Sequence, residues 1–244
     1  MKIKIIHLLI DENQNDEIDS KKWNEFRHKQ NQSTDYFGNL SQYFYKYTKV
    51  YNKRFVGPPP IETCNTPECY VSDPSLKPQS GAWVSSGHYG AFQAHRESIL
   101  TEFNDDLDAI LIVEGDVVCI PEPKDFSEII KRAYEFAKSN SASFITFANT
   151  PFGEGSDAIN NIVSHGDYDK IDHFLCCNCY MILKEEKNQI QDKLKDAKWM
   201  AFDVWLYWNY DKRVPIFRTH TPVAYENPGF SLIDFETKES NYLP

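Results

Sequence analysis

The residues with the clearest chemical potential are Glu114 and Asp116, two carboxylates separated by Gly115 at the end of an apolar run, Ile110-Leu111-Ile112-Val113. Four branched aliphatic residues in a row suit a strand covered on both faces, and such strands belong to sheets flanked by helices. Read as one strand from Ile110 to Val118, the stretch has chemistry at its tip. On extended backbone, side chains two apart share a side, so Glu114 and Asp116 would converge on one object while Gly115 permits close approach. Two hard oxygen ligands suit a divalent cation, magnesium or manganese, that in turn carries a phosphorylated substrate. The competing reading is a solvated acidic turn after a core strand.

Three further groups stand out. His95 precedes the acidic strand on a predicted helix over Ala91 to Phe103 and is placed to contact a ligand or brace Glu114, or to serve as a satisfied core histidine. Asp203, among Phe202, Val204, Trp205 and Trp208, is either a core anchor or an acid whose surroundings fit it to take a proton from a hydroxyl. Cys176, Cys177 and Cys179 crowd one segment, and Cys64 and Cys69 lie near prolines. Only Cys176 and Cys179 have the C-x-x-C spacing, and Tyr180 to Leu183 beside them reads as core strand, so free thiols are expected rather than a zinc site.

The elements that must hold these residues alternate between strand and helix. Lys2 to Ile10 reads as a first central strand, and Ile18 to Lys29 as a surface helix carrying Trp23 and Phe26. Leu40 to Phe55, with Tyr43, Tyr45, Tyr47 and Tyr51, reads as a strand, its rings packing aids first and sugar platforms second. Residues 57–81, with Pro58-Pro59-Pro60, Pro67, Pro74 and Pro78, form a loop or lid. Asp125 to Lys138 is an amphipathic helix, Ser143 to Ala148 a strand, and Phe152 to Asp172 a loop over the same face. Cys177 to Leu183 is a strand, Glu185 to Lys195 and Met200 to Trp208 are helices, Val214 to Phe217 ends the sheet, and Pro222 to Asp234 trails off. The expected fold is a single α/β domain over 1–244, with a Rossmann-related, mostly parallel central sheet and helices on both faces.

A net charge of −10 over 244 residues argues against general affinity for nucleic acid or anionic membrane, so neither is expected as a partner. No apolar run approaches a membrane span and no secretory signal is visible, which sets the expectation of a cytoplasmic protein. Neither a P-loop nor a G-x-G-x-x-G turn occurs, so a diphosphate would depend on a cation for its neutralisation.

The succession Gly90-Ala91-Phe92-Gln93-Ala94-His95 and then Ile110 to Val117 resembles glycosyltransferase family 25, the lipopolysaccharide and collagen galactosyltransferase group. Its pattern is G-C-x-x-S-H, a short helix, and an apolar strand ending in E-D-D. Here Ala91 stands for the cysteine, Ala94 for the serine and Gly115 for the central aspartate. Downstream, Tyr180 to Leu183, the helix bearing Asp203, Val214 to Phe217 and Pro222 follow the family's order, so the resemblance runs from Ser85 to the C-terminus. It implies a GT-A fold, a UDP-sugar donor (galactose by resemblance), a glycan acceptor, lipopolysaccharide or other glycan biosynthesis, and Mn2+ or Mg2+. It implies Glu114, Asp116 and a late histidine, His220, around the metal. His7, Leu9, Ser86, His95 and Glu114 are the candidate donor contacts, and the resemblance implies Asp203 as the base of an inverting transfer.

Two rivals share these residues. A glycoside hydrolase also uses paired carboxylates, about 5 to 5.5 Å apart when it retains configuration, but needs no cation. A non-catalytic carbohydrate-binding relative would use the aromatics and have lost the metal with the altered E-G-D.

Overall fold

The computed structural model describes residues 1–11, 20–52, 86–148, 162–171, 177–209, 214–226, 229–230 and 237–238. The Pro-rich stretch 57–81, with Cys64 and Cys69, lies outside them, as does Cys176.

The strands are β1 (Ile3–Ile10), β2 (Lys46–Asn52), β3 (Ala109–Glu114), β4 (Val117–Cys119), β5 (Phe144–Thr146), β6 (Val163–Ser164), β7 (Tyr168–Ile171), β8 (Cys179–Leu183), β9 (Ile216–Thr219), β10 (Ala224–Glu226), β11 (Gly229–Phe230) and β12 (Thr237–Lys238). The helices are α1 (Ser20–Leu40), α2 (Ser86–Glu102), α3 (Pro123–Ser139), α4 (Lys187–Lys195) and α5 (Phe202–Asn209). Eight strands form one sheet in the order β2-β1-β3-β8-β5-β9-β7-β6. Following the pairings outward, β2, β1, β3, β5, β9 and β6 point one way and only β8 and β7 oppose them, so the sheet is mostly parallel in strand direction.

Alternation along the strands divides the core into two layers. Ile3 and Ile5 of β1, Leu111 and Val113 of β3, and Met181 of β8 face α1 and α3, where Phe37, Leu40, Phe126, Ile130 and Ala137 meet them. Ile6 and Leu8, Ile110 and Ile112, Tyr180 and Ile182 face α2, α4 and α5 through Phe92, Ile99, Leu194, Phe202 and Trp205. The expected α/β architecture with helices on both faces is therefore present.

Several elements depart from the sequence reading. Helix α1 continues to Leu40, well past Lys29, because its inner stripe passes through polar residues that the hydrophobic pattern does not mark. Gln30 and Ser33 are buried. The Gln30 amide receives the Ile10 N–H at 2.8 Å and donates back to the Ile10 carbonyl at 3.1 Å, while Ser33 Oγ lies 3.1 Å from His7 Nε2. The stretch read as a loop from Phe152 to Asp172 holds β6 and β7, which extend the sheet beyond β9. The stretch after Pro222 does not trail off. It returns as β10 and pairs antiparallel with β4, setting Glu226 opposite Val117.

His7 is wholly buried on the α1 side of β1, with Nδ1 3.0 Å from the Tyr47 hydroxyl and its ring 5.2 Å from Phe37. Burial, assisted by the charge of Lys49 beside it, pushes its pKa down to about 3. The folded state thus holds a neutral imidazole that the unfolded chain protonates below its ordinary pKa of about 6.5. Protons bound by the unfolded chain alone make stability fall with falling pH. Between pH 6.5 and about 3 this one group should cost roughly 1.4 kcal/mol per pH unit. Urea titrations of wild type and His7→Gln at pH 7, 6 and 5 check it: the variant starts lower and declines less steeply, and equal slopes would contradict the argument.

Gly115 yields a second prediction. A Cβ there would stand 2.9 Å from the Leu8 carbonyl oxygen and 3.1 Å from Gln30 Oε1. The first obstacle is backbone and cannot rotate away. Gly115→Ala should lose about 1 to 3 kcal/mol of unfolding free energy, and Gly115→Asp, which restores the acidic residue of the resembled motif, at least as much. An Ala variant as stable as wild type in urea would show that the turn has slack.

Candidate functional site

β1 connects to β2 on one side of the sheet, while the chain re-enters on the other side of β1 as β3, so strand order reverses between β1 and β3. Such a switch point opens a crevice beyond the carboxyl ends of the strands, where ligands of open α/β sheets sit. Leu8 is paired with Glu114 at the last step of the β1–β3 register, which puts the acidic segment at the mouth of that crevice.

The expectation of one strand through Val118 needs correction. β3 stops at Glu114, Gly115 and Asp116 form a turn, and β4 leaves to pair with β10 instead of continuing the main sheet. Two-residue alternation therefore does not govern how Glu114 and Asp116 are disposed. Between them lies the tight turn at Gly115, pressed against the end of β1. The close approach that the glycine permits is by the protein's own Leu8 carbonyl and Gln30 side chain.

Glu114 continues the face occupied by Ile110 and Ile112, toward α2, and meets His95 there. His95 Nε2 lies 3.1 Å from Glu114 Oε1, and Nδ1 lies 2.8 Å from the Tyr180 hydroxyl. The ring stacks on Phe202 at 4.4 Å between centroids and 8° between planes. Burial holds the His95 pKa near 3, against a smaller opposite pull from the Asp203 charge, so the imidazole is neutral and carries one proton. Burial also raises the Tyr180 phenol well above its ordinary range, keeping its O–H. With Glu114 ionised, the arrangement that satisfies every atom has Tyr180 O–H donating to Nδ1 and Nε2–H donating to Glu114. His95 thus braces the carboxylate, one of the roles open to it in the sequence.

Asp203 lies in the first turn of α5, half-exposed, where a carboxylate suits the helix N-terminus. Its charge acts on His95, so it belongs to the same neighbourhood as Glu114. The remaining candidates divide. His7 cannot contact a donor as expected, because both ring nitrogens are engaged inside the core on the opposite face. Leu9 is buried, with Cδ2 against Gly115 and its backbone in the β1–β2 ladder. Ser86 begins α2, but its side chain lies outside the described residues.

His220 is not brought to Glu114. It follows the end of β9, three strands from β3, which is about 14 Å across the sheet. Its Nδ1 lies 2.9 Å from Asp169 Oδ1. The residue that β10 sets beside the acidic turn is Glu226, opposite Val117. Among the described residues, no three His, Cys, Asp or Glu side chains converge as a metal cage. The oxygen-only pair at the turn still fits a hard divalent ion that completes its shell with phosphate and water. Cys119 and Cys179 are free thiols, and burial pushes both upward, away from the thiolate a metal or nucleophile role needs.

Sequence reasoning missed Tyr180, Phe202 and Gln30 as the supports of this site. Tyr180 and Phe202 read as ordinary core aromatics, and a glutamine on a polar helix carries no signal of its burial. Asp169 was equally hidden inside a stretch read as loop.

The chain matches no protein-family model and no curated protein sequence. Among solved structures it is similar to a glycosyltransferase involved in glycosylation of the major capsid of PBCV-1, at 10% identity over 96% of each chain and a TM-score of 0.46. It is similar to a UDP-glucose pyrophosphorylase complexed with UDP-glucose, at 11% identity over 90% of each chain and a TM-score of 0.43. Mouse xyloside xylosyltransferase 1 is similar at 9% identity, over 86% of this chain and 76% of that one, with a TM-score of 0.37.

Proposed function

We propose that this chain is a metal-dependent, inverting glycosyltransferase that moves a sugar, galactose by the sequence resemblance, from a UDP-sugar to a glycan acceptor. The observation that carries the reading is the Glu114-Gly115-Asp116 turn at the β1–β3 switch point, with Glu114 braced by a buried neutral histidine. A magnesium or manganese ion held there would neutralise the charge gathering on the departing diphosphate.

The protein's own groups divide the remaining work. Asp116, at the turn, would be a carboxylate ligand to such an ion, and Glu114, bonded to His95, would help orient the ion or the donor ribose. Asp203 is the base: it takes the proton of the acceptor hydroxyl as that oxygen attacks the anomeric carbon and the bond to the diphosphate oxygen breaks. Phe202, beside Asp203 in the chain, stacks on both His95 and Trp205.

UDP should therefore raise the melting temperature in manganese but not in EDTA, by the equivalent of about 2.7 kcal/mol at a hundredfold excess over its dissociation constant. Asp116→Asn should remove the metal-dependent part and leave the unliganded melting temperature in place. Equal stabilisation with and without the ion would sink the metal role. For the base, Asp203→Asn should keep UDP affinity and lose roughly 10² to 10⁴ in transfer rate. A folded Asp203→Asn protein with full transfer removes Asp203 from the mechanism, and turnover of a UDP-sugar separates the enzyme from a binding-only relative.

A further inference from the structure

We infer that Tyr180 is a positioning residue of the acidic turn: fully buried itself, it acts through His95 to hold the Glu114 carboxylate in one orientation at the mouth of the crevice. What that carboxylate serves is taken from the transferase reading, whereas the chain of bonds stands without it.

The β8 segment reaches Glu114 twice. The Glu114 backbone N–H donates to the Asn178 carbonyl at 2.8 Å, one step beyond the last pair of the β3–β8 ladder. Two residues further along, Tyr180 lies opposite Ile112. Residues directly opposite each other in neighbouring strands share a side, so the phenol stands on the α2 face that Glu114 also occupies. Its hydroxyl lies 2.8 Å from His95 Nδ1, and His95 Nε2 lies 3.1 Å from Glu114 Oε1. Tyr180 and His95 are buried, and Glu114 is partly exposed, so a line of bonds runs from the interior of the sheet to the crevice.

Packing alone does not orient the imidazole. Phe202 stacks on it with the planes 8° apart, which fixes the plane of the ring. A half-turn about the Cβ–Cγ bond returns the ring to that plane with Nδ1 exchanged for Cδ2 and Nε2 for Cε1. In the flipped ring, carbon faces both Tyr180 and Glu114. The two hydrogen bonds decide between these placements, with Tyr180 O–H donating to Nδ1 and Nε2–H donating to Glu114. A phenylalanine at position 180 would fill the same space and keep the apolar contacts, but it would take that donor from a buried nitrogen. Bonds in such a chain also polarise one another, so donation into Nδ1 strengthens the bond from Nε2–H to the carboxylate.

The test uses the full chain as wild type, Tyr180→Phe, His95→Leu and the double variant. Ser127→Ala serves as a control that removes a buried hydroxyl bond from α3, the helix on the opposite face. Proton NMR reads the His95 Nε2–H, and calorimetry reads UDP affinity in manganese. Wild type should show a low-field, slowly exchanging imidazole N–H that is absent from His95→Leu, and in Tyr180→Phe it should move upfield and exchange faster. A ring-fluorinated tyrosine at position 180, a stronger donor of nearly the same size, should move it downfield, which covers a Tyr180→Phe protein that does not fold.

UDP affinity should fall about three- to tenfold in Tyr180→Phe and keep its wild-type value in Ser127→Ala. Adding Tyr180→Phe to His95→Leu should cost nothing more, because the phenol acts only through the imidazole. The positioning role is overturned by a wild type without the protected N–H, by a resonance that neither substitution at position 180 moves, or by a UDP loss of the same size in both backgrounds. It is overturned equally if wild type binds UDP and Tyr180→Phe binds it as tightly. A protein whose His95 N–H responds to position 180 but whose wild type does not bind UDP keeps the positioning of Glu114 and loses the transferase reading.

Discussion

The carboxyl ends of β1 and β3 meet where there is no room for a side chain, and the acidic turn exists in its present form because Gly115 supplies none. Gln30 reaches from α1 to close both backbone groups of Ile10, and its oxygen lies within 3.1 Å of where a Cβ of residue 115 would be. One glutamine therefore ties helix, first strand and turn together, and it does so with bonds that replace those water would otherwise make. An aspartate at position 115 would have to displace the Leu8 carbonyl, so packing accounts for the glycine between the two carboxylates.

Two buried imidazoles show how the same sheet handles polar groups on its two sides. His7 on the α1 face and His95 on the α2 face are both neutral, and each has its two nitrogens matched to side-chain partners. The difference is what lies at the end of each chain of bonds. His7 ends in buried Ser33 and half-buried Tyr47, on the α1 face of the sheet and away from the Glu114 side chain. His95 ends in Glu114, whose side chain is 22% exposed, so its network reaches the crevice. A buried group that is fully satisfied fixes geometry, and only one that passes a bond to the surface can fix the geometry of a ligand.

How much of this could be read beforehand follows from which forces leave a trace in composition. Ile110 to Val113 announced a buried strand, and α3 showed its stripe from Phe126 to Ala137, because apolar burial writes a periodic pattern. Gln30 and Ser33 wrote no such pattern, since their burial is compensated by individual hydrogen bonds, and α1 consequently ran past its expected end. β6 and β7 were concealed by Gly166, at φ +79°, and by Asp167, both in the hairpin turn between the edge strand β6 and its neighbour β7. The bracing of Glu114 by His95 was legible as a possibility from the helix-then-strand order. The remoteness of His220 was not, because sequence order says nothing of how many strands are inserted between two neighbours in the chain.

That insertion is what gives the face its length. β8 enters between β3 and β5 running opposite to both, which leaves the parallel strands on either side with their carboxyl ends on one edge. Had β5 followed β3 directly, the ends of β3 and β9 would be two strands apart instead of three. The inserted strand also contributes Tyr180, the residue that orients His95, so the element that spreads the face is the one that rigidifies its Glu114 end. At the other end rigidity comes from charge: Arg218 and Asp169 lie opposite each other in β9 and β7 and need no helix above them to be held. The carboxyl edge of the sheet is thus held by packing at one end and by an ion pair at the other.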